Sequence, residues 1–218
     1  MTSFLAGLTP EERTDLERRG YLRHWRRGTV LFGEGEPSSW VGVLRSGRVK
    51  VSSDGSGAEV LLDICGPGVL IGESAGLRDD RPRAVTVTAI DPVDALVVTA
   101  GEFHSFLRTH TAVLLLVLEQ LSERVRDSDR KRVEFSMLDA PSRVARRLVE
   151  LADRYGEPYQ GSVRISVALT QQELAGWVGA SREAVGKALR TFRDRGLIET
   201  RRRMVIVHDL QALRDRMG

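Results

Sequence analysis

Residues 169–192 constrain the fold of this chain more than any other segment, because they predict two short helices joined by a tight turn. Thr170 is followed three residues later by Glu173. This spacing is typical of a capping box, in which each side chain accepts a hydrogen bond from a free backbone N–H at the helix start. Gly179 interrupts the helical pattern, and Ser181 then offers a new N-cap. We therefore predict one helix that ends at Gly179 and a second that begins after Ser181.

The second helix, predicted over residues 182–194, has an apolar face and a charged face. Its apolar side chains recur at spacings of three and four residues, with charged side chains opposite them. The first turn of the charged face carries Arg182 and Glu183, and Lys187 follows one turn later. In a DNA major groove Arg donates to guanine and Glu accepts from cytosine, so this helix could read base edges. Taken alone, the charged face is also typical of an ordinary two-helix hairpin with a solvated surface.

Two short apolar runs after this helix predict a β-hairpin with a cationic tip. The runs cover residues 197–200 and 204–207, and Arg201, Arg202 and Arg203 lie between them. Arginines at a hairpin tip are well placed to contact phosphate. Helix, turn, helix and basic hairpin together predict a winged-helix DNA-binding domain.

The run LTQQELAGWVGASREAVGKALRTFRDRGLIE resembles the helix-turn-helix of the CRP/FNR family of transcriptional regulators. The resemblance implies that Arg182 and Glu183 contact bases and that Lys187 contacts a base or a phosphate. It also implies that Ser181 and Thr170 hold the DNA backbone. The residues predicted to contact DNA are Thr170, Gln171, Ser181, Arg182, Glu183, Lys187, Arg190, Arg201, Arg202 and Arg203.

Residues 29–98 contain short β-rich runs separated by glycine-bearing turns, a pattern typical of a closed antiparallel sandwich or β-roll. The predicted strands cover 29–32, 40–44, 48–52, 60–64, 69–71, 85–90 and 95–98, after an opening helix near 9–19. The runs LFGEGEPSS, LRSGRVKV and PGVLIGES resemble successive turns of a cyclic-nucleotide-binding domain. One family pattern thus covers the whole chain and implies an α+β fold.

Gly72, Glu73, Ser74 and Arg83 carry the ligand chemistry of the predicted roll. A cyclic nucleotide has an anionic phosphate and a ribose 2′-hydroxyl, so its pocket needs a cation, free backbone N–H groups and a carboxylate. Arg83 can bind phosphate through two parallel hydrogen bonds, and a short helix starting at Ser74 would add N–H donors. The resemblance assigns Glu73 to the ribose hydroxyl, Arg83 to the phosphate, and cAMP or another cyclic nucleotide as ligand. Ala84 departs from the family pattern, in which a Ser at this position adds a further phosphate ligand.

Two alternatives to a nucleotide pocket stay open. Glu73 and Arg83 could form a surface ion pair in a roll that binds no ligand, and the protein would then bind DNA constitutively or sense another molecule. Double-stranded β-rolls also occur in metal-dependent cupin enzymes, which need His and carboxylate ligands that converge inside the barrel. The four histidines, His24, His104, His110 and His208, are scattered outside the predicted strands. We therefore predict no metal site and no catalytic residue.

Residues 111–135 have the periodicity of a long helix with a heptad seam. The seam positions are Leu114, Leu118, Leu121, Val125, Ser128, Arg132 and Phe135. A seam of this length favours a parallel homodimer helix over a helix that docks only on the roll. The resemblance implies that Ser128, with Asp129 beside it, reaches the adenine from the dimer interface. The alternative is that Ser128 is a polar seam residue that sets the register.

The chain leaves the long helix near residues 138–142. Asp139 can cap a new helix and Pro141 fits its first turn. We predict a roll domain over 1–110, a dimerisation helix and hinge over 111–138, and a DNA-binding domain over 139–218. Ligand binding would then shift the population toward one state of the DNA modules about this hinge.

Charge supports this division of the chain. From Asp139 onward there are 15 Lys and Arg against 10 Asp and Glu, which gives +5, and the remainder has 18 against 20, which gives −2. A basic C-terminal third fits a DNA-binding module attached to a part that does not bind DNA. We expect double-stranded DNA and a second copy of the chain as partners, with RNA polymerase as a further candidate.

The sequence contains no signal for secretion or for a membrane. Residues 1–8 lack a basic region and a long apolar run, and no span of about 18 apolar residues exists. We therefore expect a cytoplasmic protein without membrane contact. The single cysteine, Cys65, excludes an intrachain disulfide and a thiolate cluster for iron–sulfur binding.

Overall fold

The computed structural model describes residues 3–55, 58–73, 82–167 and 169–217, and these form two compact units. The first unit comprises the described residues up to Ser128 apart from 58–61. The second comprises 58–61 and the described residues from Asp129 onward. Mixed helix and strand content confirms the predicted α+β class. No described helix is long and apolar enough to cross a membrane.

The N-terminal part of the chain contains a β-roll between helices. Its helices are α1 (Phe4–Gly7), α2 (Pro10–Arg19), α3 (Ala100–Thr109) and the long α4 (Thr111–Met137). Its strands are β1 (Tyr21–Trp25), β2 (Val30–Phe32), β3 (Trp40–Ser46), β4 (Val49–Gly55), β5 (Ala58–Cys65), β6 (Leu70–Ile71), β7 (Thr86–Ala89) and β8 (Val93–Thr99). They form two four-stranded sheets in the orders β1-β8-β3-β6 and β2-β7-β4-β5.

Two apolar clusters hold the roll together. Alternating strand residues such as Leu44, Val87 and Ala95 form a cluster inside the roll. A second cluster joins β3 and β8 to α3 and to the start of α4, where Val113 and Val117 are buried. The first turns of α4 therefore pack on the roll of their own chain.

The structure adds three elements in this part that the sequence does not predict: the short helix α1, strand β1 and helix α3. In strand β1 only Trp25 is buried, so the strand lacks the alternation that would reveal it. His24 lies in β1, so the expectation that all four histidines fall outside strands is wrong. Its ring lies 2.9 Å from the exposed carboxylate of Asp94. Helix α3 was also missed, although Thr99 caps it through the Glu102 N–H.

The C-terminal part contains a helix-turn-helix and a four-stranded sheet. Its elements are α5 (Ala140–Tyr155), β9 (Gly156–Tyr159), β10 (Ser162–Ile165), α6 (Gln171–Val178), α7 (Arg182–Asp194), β11 (Ile198–Arg201), β12 (Met204–Val207) and α8 (Leu210–Arg214). The sheet order is β11-β12-β10-β9. Asp139 caps α5 and Pro141 lies in its first turn, as predicted. The β9–β10 hairpin and the short helix α8 are not predicted from the sequence.

Helix α4 presents a stripe of exposed apolar side chains. Leu115, Leu118 and Val125 are 62%, 56% and 61% exposed. Leu114 and Leu121 instead pack partly against the apolar cluster of the roll. The outward stripe therefore includes Leu115 and differs from the predicted seam, because 114 and 121 face the helix's own domain.

Candidate ligand pocket and nucleic-acid interface

A pocket of the roll contains most of the residues predicted to bind a ligand. The space within it, which includes solvent at its open mouth, is about 390 Å³. It is lined by Phe32, Val51, Ile71, Gly72, Glu73, Arg83, Ala84, Val85, Val87 and Arg124. Sequence reasoning thus identified Gly72, Glu73, Arg83 and Ala84 but missed Arg124. Ser74 lies outside the described residues.

Arg83 is buried and held by backbone carbonyls and aromatic rings. It is 4% exposed; Nη1 donates to the Gly72 carbonyl at 3.2 Å and Nη2 to the Trp40 carbonyl at 2.7 Å. The guanidinium carbon lies 4.0 Å from the ring centroid of Phe32 and 4.9 Å from that of Trp40. Burial lowers the pKa of Arg83, and the nearby charge of Glu73 acts in the opposite direction. Within the described ranges, Nε has no hydrogen-bond partner.

Glu73 pairs with the long helix and not with Arg83. Its side chain is 5% exposed, and Oε1 accepts from Nη1 of Arg124. Its other oxygen, Oε2, is buried and has no partner among the residues that the structure describes. The alternative of a surface Glu73–Arg83 ion pair is wrong, because both side chains are buried.

Helix α4 holds the strand that leads into the pocket. Arg124 Nη2 donates to the Leu70 carbonyl at 3.0 Å, and Gln120 donates to the same carbonyl at 3.0 Å. Gln120 also accepts from the Leu70 N–H at 3.3 Å. Arg124 lies one turn before Ser128. The partners of Arg124 lie 51 and 54 residues away in the chain, so no local sequence signal identifies it.

Gly72 is required by the packing of Arg83. Its φ of +73° lies in the left-handed region that glycine favours. A Cβ at this position would lie 2.3 Å from Nη1 of Arg83. Any other residue would therefore displace the guanidinium.

Ser128 and Asp129 do not line the pocket of the same chain. Both are exposed on α4, and the Asp129 carboxylate lies 3.3 Å from Nη1 of Arg132. Their assignment to the ligand through a dimer stays a prediction.

The two helices of the helix-turn-helix have the predicted ends. Thr170 and Glu173 form the capping box, with the Thr170 N–H donating to the Glu173 carboxylate at 2.8 Å. Gly179 ends α6 in the left-handed conformation, with φ of +59°. Ser181 then accepts from the Ala184 N–H at 3.1 Å and caps α7.

Helix α7 separates the two faces as predicted. Val185, Ala188, Leu189 and Phe192 are buried. The ten residues predicted to contact DNA are all exposed: Thr170, Gln171, Ser181, Arg182, Glu183, Lys187, Arg190, Arg201, Arg202 and Arg203. Hydrogen bonds from the Glu183 backbone N–H and the Ser181 hydroxyl lower the pKa of the Glu183 carboxyl. This carboxyl is therefore an ionised acceptor at neutral pH.

The β11–β12 hairpin, which forms the wing of the DNA-binding domain, differs from its prediction at one arginine. Arg201 belongs to strand β11 and not to the tip, and its Nε donates to the Glu199 carboxylate at 2.6 Å. That hydrogen bond raises the pKa of Arg201 and lowers that of Glu199. The turn is formed by Arg202 and Arg203, the latter with φ of +65°. The exposed cationic tip is therefore shorter than predicted.

Among the described residues, no group of three or more His, Cys, Asp or Glu side chains could hold a metal ion. The convergent ligands that a cupin-type enzyme needs are not found in this part of the chain.

Two domain families match the chain. The cyclic nucleotide-binding domain matches residues 22–110, and the Crp-like helix-turn-helix domain matches residues 142–216. A CRP-like cAMP-activated global transcriptional regulator of Mycobacterium tuberculosis (strain ATCC 25618 / H37Rv) is 35% identical over 188 residues. The match covers 86% of this chain and 84% of that protein. The cAMP-activated global transcriptional regulator CRP of Haemophilus influenzae is 24% identical, over 86% of this chain and 84% of its own.

Solved structures share the fold. The c-di-GMP responsive global regulator CLP of Xanthomonas campestris matches with a TM-score of 0.80 at 23% identity, over 92% of this chain and 100% of that one. A CRP-family transcriptional regulator of Thermus thermophilus matches with a TM-score of 0.76 at 24% identity, over 90% and 96% of the two chains.

Proposed function

The chain belongs to the CRP/FNR family of transcriptional regulators, and we propose that it is a homodimer whose affinity for a roughly palindromic DNA site is controlled by a cyclic nucleotide. It is a DNA-binding regulator with a cyclic nucleotide-binding domain, and it is not an enzyme. Because relatives are described as cAMP-activated, cAMP is the first candidate ligand.

The observation that carries the ligand proposal is the pair of buried, unpartnered polar atoms at the pocket. Within the described part of the chain, neither Oε2 of Glu73 nor Nε of Arg83 has a hydrogen-bond partner. Leaving a buried polar atom unpaired costs about 1–3 kcal/mol, and more for a charged group. A cyclic nucleotide offers a ribose hydroxyl that donates to a carboxylate and a phosphate that accepts from a guanidinium. Its two polar groups therefore match the two atoms in chemistry.

The exposed stripe of α4 supports the homodimer. Leu115, Leu118 and Val125 would each place a large apolar side chain in water in a single chain. Pairing with the same stripe of a second copy would bury them. Two recognition helices related by a two-fold axis fit half-sites about 34–36 Å apart, which is the reason for expecting a palindromic site.

Arg124 suggests how the ligand affects the dimer helix. It joins α4 to Glu73 and to the Leu70 carbonyl, so a ligand that engages Glu73 also changes what α4 binds. Nucleotide binding would then shift the population toward the form of the dimer that binds DNA. Ser128 and Asp129 are the candidates for a contact from the second chain to the base, and RNA polymerase is a candidate downstream partner.

A second candidate function is a regulator whose roll does not need a nucleotide. Two observations favour it: Ala84 supplies no hydroxyl for a phosphate, and the Arg83 guanidinium is already bound to two carbonyls. Such a protein would bind DNA constitutively or respond to another molecule.

Calorimetric titration of the full-length protein with cAMP, with cGMP as the comparison, separates the two candidates. We expect saturable heat at about one site per chain for cAMP, and its loss in Arg83→Ala. Protein that binds DNA but gives no heat with either nucleotide would refute the nucleotide proposal in favour of the second candidate.

A further inference from the structure

We propose that Phe32 and Trp40 are positioning residues that hold the Arg83 guanidinium in the orientation in which it binds an anionic phosphate. The inference rests on the proposed nucleotide function for the identity of the ligand. Arg83 is the residue that touches the ligand, and the two aromatic residues act through it. We call the Phe32 and Trp40 side chains the aromatic brace.

The brace contacts the guanidinium with both rings. The guanidinium carbon lies 4.0 Å from the Phe32 ring centroid and 4.9 Å from the Trp40 centroid, within the range of a cation–π interaction. Such contacts strengthen when water is excluded, and Arg83 is 4% exposed. A buried cation that contacts two rings and donates to two carbonyls has little freedom to rotate, so its N–H groups keep fixed directions.

The brace is itself supported by packing. The Phe32 and Trp40 rings meet edge to face with centroids 5.4 Å apart, and Trp40 stacks on Trp25 at 6.0 Å. Trp40 also holds Arg83 through its backbone carbonyl, which accepts from Nη2 at 2.7 Å. The ring and the carbonyl of one residue therefore constrain the same guanidinium.

Fixing the guanidinium matters for phosphate recognition. Two parallel N–H groups bind two phosphate oxygens only when the guanidinium plane is correctly oriented. The Gly72 and Trp40 carbonyls occupy one N–H of each terminal nitrogen, and Nε, buried without a partner within the described ranges, keeps its N–H. Because Ala84 provides no hydroxyl for the phosphate, more of the recognition depends on Arg83.

The first test compares Trp40→Leu with Trp40→Phe in the full-length protein by calorimetric titration with cAMP. Trp40 is only partly buried, so both variants should fold, and circular dichroism checks this. We expect Trp40→Leu to weaken cAMP binding about tenfold and Trp40→Phe, which keeps a ring, to weaken it less than about threefold. Trp25→Phe, which alters the stack without touching Arg83, is the matched control and should change binding less than about twofold.

A double-mutant cycle separates positioning from direct contact with the ligand. If Trp40 acts by orienting the Arg83 guanidinium, then Trp40→Leu should have a much smaller effect in protein that already carries Arg83→Lys, because an ammonium has no plane to orient. An equal loss in both backgrounds would overturn the proposal, since Trp40 would then act independently of the guanidinium.

A measurement without ligand shows which of two proposals is wrong: that the aromatic brace positions Arg83, or that the pocket binds a cyclic nucleotide. In NMR spectra, ring currents should shift the Arg83 Nε–H resonance away from the position of exposed arginines, and Trp40→Leu should return it toward that position. An Arg83 resonance that is unshifted, or that Trp40→Leu leaves unchanged, would refute the brace even if cAMP binds. A shifted resonance in protein that binds no cyclic nucleotide would refute the proposed ligand binding. It would also refute the role of the brace in binding phosphate.

Discussion

Arg182 and Glu183 lie in the first exposed turn of α7, where a side chain can reach base edges while the helix buries its opposite face. If Arg182 contacts a base, we expect Arg182→Ala to cost about 1–3 kcal/mol on the preferred DNA site and to erase the preference for that site. The weak binding that remains should be salt-sensitive. Fluorescence anisotropy with specific and scrambled duplexes measures both properties.

Arg202 at the wing tip provides the matched comparison. If Arg202 contacts a phosphate, as proposed, Arg202→Ala should weaken binding to both duplexes alike and reduce the slope of log affinity against log salt by about 1. If Arg182→Ala gave this same uniform loss, Arg182 would be a phosphate contact and not a base reader.

The Asp139 cap links one carboxylate to pH-dependent stability. Hydrogen bonds from the hydroxyl and the backbone N–H of Ser142 lower the pKa of Asp139. A lowered folded-state pKa contributes stability that is present above the unfolded value, about 3.9, and is lost as pH falls through the lower folded value. Asp139→Ala should therefore cost about 1 kcal/mol at pH 7, with a difference that shrinks below about pH 4. Denaturant unfolding across this range tests it. Asp139→Asn keeps a cap without the charge, and its difference from Asp139→Ala should not vary with pH.

Single residues were predictable where the signal is local in the chain. Thr170, Gly179 and Ser181 were identified because a cap depends on residues three or four positions away. Arg124 and Trp40 were missed because their partners lie 51 and 43 residues away, so nothing in their own neighbourhood indicates the contact.

The same contrast holds between elements. Helix α7 was predicted with correct ends, because its buried face repeats at helical spacing. Strand β1 and the β9–β10 hairpin have mostly exposed or half-buried residues, so no apolar pattern marks them, and their pairing with β8 and β12 supplies the stability. Gln160 and Gly161 form the hairpin turn, but both have positive φ, which the sequence signals only at the glycine.

The end of α4 is held to α5 by a buried ion cluster. Glu134 is 3% exposed; it pairs with Arg147, which is 2% exposed, and lies 3.2 Å from Arg146 and 3.6 Å from Arg130. Removing Glu134 takes a shared carboxylate away from these arginines and leaves the buried Arg147 with the Glu150 carboxylate. Glu134→Ala should therefore destabilise the protein by about 3 kcal/mol, as measured by denaturant unfolding.

Two further variants test this account of the Glu134 cluster. Replacing Glu134 and Arg147 together by Leu should recover most of the loss, because the two most buried charges are removed together and Glu150 keeps Arg154 as a partner. Asp129→Ala, which removes an exposed partner of Arg132, should change stability by less than about 0.5 kcal/mol. A double variant as unstable as Glu134→Ala would show that packing, and not charge, dominates at this junction.

The proposed homodimer depends on the exposed apolar stripe of the long helix. A carboxylate at Leu118 or Val125 would be buried against its own symmetry copy, where like charges repel and lose hydration. We expect Leu118→Asp and Val125→Asp to be folded monomers by sedimentation at micromolar concentration, and Leu118→Met to remain dimeric. The two Asp variants should also lose most of their affinity for a palindromic site but keep weak binding to a single half-site. An Asp variant that still sedimented as a dimer would place the interface elsewhere.

The proposed regulation of the whole molecule would be a coupling between two binding equilibria, and such coupling is reciprocal. If saturating cAMP raises DNA affinity by a given factor, commonly about 5–150-fold, then saturating DNA must raise cAMP affinity by the same factor. Anisotropy with and without cAMP gives one factor, and calorimetry with and without a palindromic duplex gives the other. Equal factors above one would fit a nucleotide that selects the DNA-binding form. Factors equal to one, from protein that binds both ligands, would refute regulation by this pocket, because a ligand with no preference between two forms cannot shift their populations.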